Sequence, residues 1–276
     1  MHAKPIKAAQ RTLVASPLAE SPTTVDRQFA STLASAIDIL ACFKAGEYSL
    51  GNKDFAERTG LSRSAVVRLT HTLIALGYLR RAPDSRRYRL APAVLTLGYP
   101  LLASMQIRQV ARSLMMNLAT QINGAVSMVM FDRLHMVYVE TARYNNALPT
   151  HPDIGSQLPL LTTAAGRAWL SKVSCHERTS VLNRVRLHQP EYYLNHLDGF
   201  HQAYAAFEQE GFCSNEQAWN PDTYGFAVPM SKPIDSSLFV FNCGVPVEDG
   251  PFKERQAQIG PQLIDLVRSL ERVLQS

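Results

Sequence analysis

Between Asn52 and Leu90 the chain alternates helix signals and glycines so tightly that few folds can accommodate it. NKDFAERT reads as a short helix with Phe55 and Ala56 turned inward; Gly60 supplies the left-handed residue that ends it, and Leu61 plugs the turn. Ser62 then offers its hydroxyl to the orphan amides of a further helix, which is an N-cap. That helix runs from residue 63 to about 76, where Gly77 stops it, and Val66, Leu69, Leu73 and Leu76 recur along it as one buried stripe. Upstream, residues 29–43 place Leu33, Ile37, Leu40 and Ala41 at helical spacing, closed by Gly46. Downstream, residues 78–81 and 87–90 read as two strands around the turn 82–86. Helix, helix, turn, helix and hairpin is the order of a winged helix-turn-helix.

Charge sharpens this reading. From Leu61 to Leu90 seven arginines (63, 68, 80, 81, 86, 87 and 89) stand against one acid, Asp84. Residues 1–98 hold 14 Lys and Arg against 7 Asp and Glu, and the remainder 14 against 16. A basic first third on a slightly acidic body is the electrostatic footprint of a nucleic-acid-binding module joined to something else. Arg63, Ser64, Val67 and Arg68 fall near the N-terminus of the third helix, where a recognition helix reads base edges. Arginine pairs bidentately with guanine, Ser62 and Ser64 at a helix N-terminus suit phosphate oxygens, and an exposed Val67 suits a thymine methyl. His71, one turn beyond Arg68, is either a phosphate contact or an incidental flank residue. Arg86 and Arg87 lie at the hairpin tip, where a wing meets the backbone or minor groove, while Arg80, Arg81 and Arg89 flank it.

With 276 residues the chain suffices for two cores. No apolar run approaches the roughly 20 residues that span a bilayer, and residues 1–27 are too polar for a secretion signal, so they read as a disordered arm. Cys42, Cys175, Cys213 and Cys243 are far apart, without a C-x-x-C pair or a histidine at ligand spacing. That pattern points to reduced thiols in the cytoplasm, not to disulfides or zinc.

After residue 98 an apolar segment, 93–105, carries Leu95, Leu97, Leu101 and Leu102, and packs either between subunits or on its own domain. Pro100 predicts a bend or restart after Tyr99. Residues 107–121, 163–170, 176–184, 197–210 and 252–274 read as helices; 125–131, 136–141, 223–230 and 238–243 read as strands. Antiparallel strands with flanking helices make an α+β domain. The expected division is an arm at 1–27, a winged helix-turn-helix at 28–91, a linker helix at 92–106 and a second domain at 107–276.

From residue 29 onward the chain resembles the IclR family of bacterial transcriptional regulators. The resemblance is carried by FAERTGLSRSAVVRLTHTLIALGYLRR, YRLAPAVLTLG and GSQLPLLTTAAGRAWL, and then by GFCSNEQ, FAVPM and FVFNCGVP. It implies a winged helix on double-stranded operator DNA, a linker helix, a C-terminal GAF-like effector-binding domain, and dimers or tetramers. It also implies an effector between the sheet and the loop LPLLTTAAGRAW. Thr163 with the amides of Ala164 and Ala165 is then a carboxylate cradle, a plain N-cap, or both, and Asn215 is a polar group across from it. Leu161 stands where the family often has His, and Gly225 where it often has Cys. Phe241 and Cys243 replace small hydroxyl residues. If Met128 and Met130 also face inward, such a lining suits an aromatic or otherwise apolar acid; the alternative is that Met and Phe at these positions are simply core.

Catalysis finds no support. Gly-rich phosphate loops, G-x-S-x-G and H-E-x-x-H are missing, and His188, His196, His201 and Asp198 do not fall one turn apart as metal ligands. No catalytic residue, cofactor or metal is therefore assigned. The expected mechanism is a symmetric dimer on half-sites about 34–36 Å or a multiple apart. Effector binding shifts DNA affinity through a coupling of about 1–3 kcal/mol. Repression and activation stay equally open, and so does a second domain that only assembles oligomers.

Overall fold

The computed structural model describes residues 28–83, 85–144 and 152–275. The expected arm at 1–27 and the acid Asp84 lie outside them. The chain divides into two compact units between Leu101 and Leu102.

The first unit holds α1 (Ser31–Ala41), α2 (Asn52–Thr59), α3 (Arg63–Ala75) and a hairpin of β1 (Leu79–Arg81) and β2 (Tyr88–Leu90). Its core is Ile39, Cys42, Leu50, Phe55, Val66, Leu69, Leu73, Leu79 and Tyr88. Gly60 (φ 72°) and Gly77 (φ 78°) end α2 and α3 in left-handed conformation, as their positions predict. Leu50 and Tyr88 exchange both backbone hydrogen bonds (3.0 and 2.7 Å), adding a third rung to the wing. Two apolar stripes differ from expectation. Leu33 and Ile37 of α1 are 62% and 46% exposed, and Leu76 is 61% exposed; Ile39 and Ile74 take the inward positions instead. A periodic stripe shows which residues share a face, not what covers that face.

Helix α4 (Ala93–Ser104) runs uninterrupted through Pro100, so the expected restart does not occur. None of its residues is buried, and Leu95, Leu97, Tyr99 and Leu101 are all more than half exposed.

The second unit is built on a six-stranded antiparallel sheet, in the order β5 (Gln157–Pro159), β4 (His135–Arg143), β3 (Ala125–Asp132), β8 (Phe239–Pro246), β7 (Thr223–Pro229) and β6 (Cys213–Asn215). Strands β5 and β6 are three-residue edges that the sequence did not suggest. Helices α5 (Gln106–Ile122) and α9 (Phe252–Gln275) cover one face. Helices α6 (Ala164–Lys172), α7 (Cys175–His188) and α8 (Pro190–Glu210) cover the other. Each face thus has its own core, and the central strands are buried on both sides.

A β-bulge at Val139 sets which side chain goes where. Met128 pairs with Glu140 and Val129 with Tyr138, leaving Val139 as the extra residue of β4. Glu140 consequently faces α5, where Arg108 Nη2 meets its Oε2 at 2.9 Å, while Tyr138 faces α6.

Candidate nucleic-acid interface and ligand site

Ser62 caps α3 by accepting from the Ala65 amide at 3.2 Å, and its hydroxyl lies 3.1 Å from that of Ser64. Ser62, Arg63, Ser64, Val67, Arg68 and His71 are exposed on one side of α3, while Val66, Leu69, Thr70 and Leu73 fill the other. Val67 is 52% exposed, an apolar side chain in the middle of a polar face. Among the described residues Arg63 and Arg68 form no ion pair.

In the wing, Arg80 pairs directly with Arg89 across the hairpin, and neither meets a carboxylate among the described residues. Like charges placed opposite each other destabilise a hairpin. Arg89 Nε is moreover buried without a partner. Arg86 is exposed at the tip. Arg87, expected beside it as an anchor, is turned back into its own unit. Its Nε donates to Ser49 Oγ (3.1 Å), and its Nη2 donates to Ser49 O and Asp54 Oδ2 (both 2.8 Å). Asp54 also accepts from the Gly51 amide at 2.8 Å, so Arg87 locks the wing to the start of α2.

In the second unit, Leu161, Thr163, Ala164, Ala165, Asn215 and Gly225 come together where α6 begins over β6 and β7. All are buried except the half-buried Gly225. A Cβ on Gly225 would touch those of Ala164 and Asn215 at 3.7 Å, and a Cβ on Gly166 would overlap the Leu160 backbone, so the loop sits close on the helix. Two of the expected ligand groups are spent on structure. The Thr163 hydroxyl donates to Pro159 O (2.6 Å) and accepts from the Gly166 amide (3.1 Å). Asn215 donates to Thr162 O (2.8 Å) and accepts from the amides of Gln217 and Ala218 (3.3 and 2.9 Å). What remains is the pair of buried amides at Ala164 and Ala165, which have no acceptor among the described residues.

The loop is braced from α8. Tyr192 Oη accepts from the amides of Leu161 (2.8 Å) and Thr162 (3.2 Å), while Arg167 Nε donates to Leu161 O (2.7 Å). Gly199 leaves room for that guanidinium, because a Cβ there would lie 2.9 Å from Arg167 Nη2. Burial lowers the Arg167 pKa and raises that of Tyr192. Sequence reasoning missed both residues: Tyr192 stands in no motif, and Arg167, though inside the quoted loop motif, acts only through a backbone carbonyl.

Met128, Met130, Phe241 and Cys243 are not part of this cluster. They lie on the opposite face of the sheet, in or against the core under α5 and α9. Side chains alternate along a strand, so the residues that do face α6 are their neighbours Ser127, Val129, Val240 and Asn242. Leu161 therefore stands at the start of α6 without the Met and Phe side chains expected beside it. The actual face is smaller and more polar. Ser127 donates to Thr141 Oγ1 at 3.1 Å, and Asn242 is hydrogen-bonded to the Tyr138 hydroxyl. No group of three or more His, Cys, Asp or Glu that suits a metal occurs among the described residues. No helix among them is long and apolar enough to cross a membrane.

A winged helix-turn-helix with exposed arginines, followed by an α+β domain, defines a DNA-binding regulator of transcription. Residues 32–83 match the IclR helix-turn-helix domain, and residues 100–270 match the bacterial transcriptional regulator IclR C-terminal domain. The chain belongs to the IclR family and is a transcriptional regulator, not an enzyme. It is 30% identical over 242 residues to the HTH-type transcriptional regulator TsaQ1/TsaQ2 of Comamonas testosteroni, covering 87% of each chain. It is 25% identical to the p-hydroxybenzoate hydroxylase transcriptional activator of Acinetobacter baylyi, covering 76% of this chain and 79% of that one. An IclR family transcriptional regulator from Brucella abortus superposes with a TM-score of 0.82 at 38% identity, covering 94% and 97% of the two chains.

Proposed function

We propose that the protein binds an operator in double-stranded DNA as a dimer or tetramer in the cytoplasm, and that a small organic acid held at the start of α6 switches it. The observation that carries this reading is the set of Arg63, Arg68 and Arg80, all exposed, and the half-buried Arg89, none of them ion-paired among the described residues, with Ser62, Ser64, Val67, His71 and Arg86 around it. Arg63, Val67 and Arg68 read base edges; Ser62, Ser64 and His71 hold phosphates; the wing arginines clamp the backbone.

The ligand half rests on the two buried amides of Ala164 and Ala165 at the positive end of α6. A carboxylate satisfies both. Val129, Ala227 and Val240 give the same face apolar walls that accept a flat ring. The similarity to a regulator named for p-hydroxybenzoate hydroxylase agrees with an aromatic acid. The apolar side chains left exposed on α4 suit a second copy of the chain, which provides two winged helices for a two-fold operator.

Footprinting over a salt series tests the first half: site-specific protection with a steep loss on raising salt is expected. Thermal shift against a panel of carboxylic acids tests the second, because a ligand at a hundred times its dissociation constant adds about 2.7 kcal/mol. If every acid leaves the melting curve unchanged, only an assembly role remains for the C-terminal domain.

A further inference from the structure

Resting on the reading of paired chains on a two-fold operator, we infer that Arg108 is a positioning residue for DNA binding. It locks the direction in which α4 leaves the second unit, and thereby sets the half-site spacing that the protein accepts. Helices α4 and α5 are separated by a single residue, Met105, whose backbone (φ −82°, ψ 84°) is not helical and whose side chain caps nothing. The boundary between the two units lies just before this break, between Leu101 and Leu102. The two soft dihedrals of Met105 leave α4 free to swivel, and the bond from its amide back to Leu102 O is long, at 3.4 Å.

Arg108 reaches back across the break. Its Nη1 donates to the same Leu102 O at 2.9 Å, and its Nη2 meets Glu140 Oε2 at 2.9 Å. A cation is favoured at the C-terminal end of a helix, where carbonyls lack partners. Glu140 is held in turn: it is 3% exposed, its Oε1 accepts from the Thr141 amide at 3.2 Å, and the bulge at Val139 aims it at α5. Because the guanidinium is planar and its donors diverge at fixed angles, the end of α4 is set against the sheet in one direction. A buried ion pair is a poor way to add stability, since apolar side chains of similar volume do as well or better. Leu102, Met105 and Val110 already pack on the core here. The pair therefore supplies direction rather than cohesion. Since α4 leads to the winged helix, a fixed direction in two symmetric copies holds both recognition helices at one separation.

The test selects binding sites for the full native chain from a pool of random duplexes, then varies the spacing between the half-sites recovered. Two added base pairs turn one half-site by roughly 70° about the duplex, so a dimer of fixed geometry loses about tenfold or more in affinity. In Arg108→Met/Glu140→Leu, which removes both charges together, the same insertion costs less than about threefold, and binding to a duplex with one half-site stays native. Arg112→Ala, which removes only the exposed neighbour of Glu140, keeps the native profile. Three results overturn the inference while the dimer reading stands: a native profile in the double variant, a native protein that tolerates the insertion equally well, or a double variant reduced to half-site affinity at every spacing. If selection returns only single half-sites, the two-fold reading fails and takes the inference with it. Should the double variant not fold, Arg108→Lys takes its place, because an ammonium lacks the fork that holds both acceptors at once and the same loosened profile is expected.

Discussion

Arg108 Nη2 lies 2.9 Å from Glu140 Oε2, and the same guanidinium donates through Nη1 to Leu102 O at 2.9 Å. One side chain therefore joins the sheet to the last turn of α4. The Glu140 side chain is 4% exposed and that of Arg108 18%, so this is a largely buried pair, whereas Arg112, 67% exposed and 3.7 Å away, adds little. Removing one partner of a buried pair leaves the other uncompensated. Glu140→Ala should cost about 3 kcal/mol in denaturant unfolding, while Arg112→Ala should stay within about 0.5 kcal/mol. Equal effects of the two would show that the ion pair contributes nothing specific.

The arginines of the first unit separate by what they touch. Arg68→Ala should relax base preference, and Arg86→Ala should weaken all sequences and reduce the log–log salt slope by about 0.9 if it meets one phosphate. Arg87→Ala should do neither. Because it ties the wing to Ser49 and Asp54, its loss should appear first as a lower melting temperature of the free protein. Footprinting with salt titration, alongside calorimetric melting, distinguishes the three.

Acid stability should carry the signature of Glu47. Its carboxylate takes two hydrogen bonds from Arg58, both 2.6 Å, which hold its pKa down from 4.5 to about 2. A depressed carboxylate stabilises the fold fully above its ordinary pKa and loses that contribution as pH falls through the folded value. The pair is about a third exposed, so solvent screening limits it to on the order of 1 kcal/mol. Wild type should exceed Glu47→Gln by that amount at neutral pH, and the two curves should converge between pH 4.5 and about 2. Parallel curves down to the acid end would refute the assignment.

Thiol chemistry should single out one site. Burial pushes Cys42 up to about 11, and Cys213 and Cys243 up to about 12, while Cys175 is exposed at the start of α7. Iodoacetamide at mildly alkaline pH should modify Cys175 alone in the folded protein and all four cysteines after denaturation, read by mass spectrometry. Modification of Cys42 at a similar rate would mean that the first unit opens readily.

The first unit was legible because its elements are short and punctuated. Gly60, Ser62 and Gly77 fix the ends of α2 and α3, and the reading face follows from the phase of one helix. The second domain's class and most of its elements were also legible, but the facing of its strands was not. Strands β3 and β8 are buried on both sides, so hydrophobic alternation vanishes and either phase fits the sequence. Taking Met128 and Phe241 as the inner residues put the candidate lining one residue out of phase. Arg167 and Tyr192 were invisible for another reason: they act through backbone atoms of Leu161 and Thr162, far away in sequence for Tyr192, and no spacing records that.

Helix α4 has no buried residue and contains Thr96, Gly98 and Pro100, so its own propensity is too weak to hold twelve residues in order. Its order is then supplied by whatever covers it, which on the proposed reading is a second chain. On that reading, folding of the linker, pairing of the chains and occupancy of the operator share one concentration dependence. Halving the amount of protein in a cell should cut operator occupancy by more than half, giving the regulated genes a threshold in regulator dosage rather than a graded response.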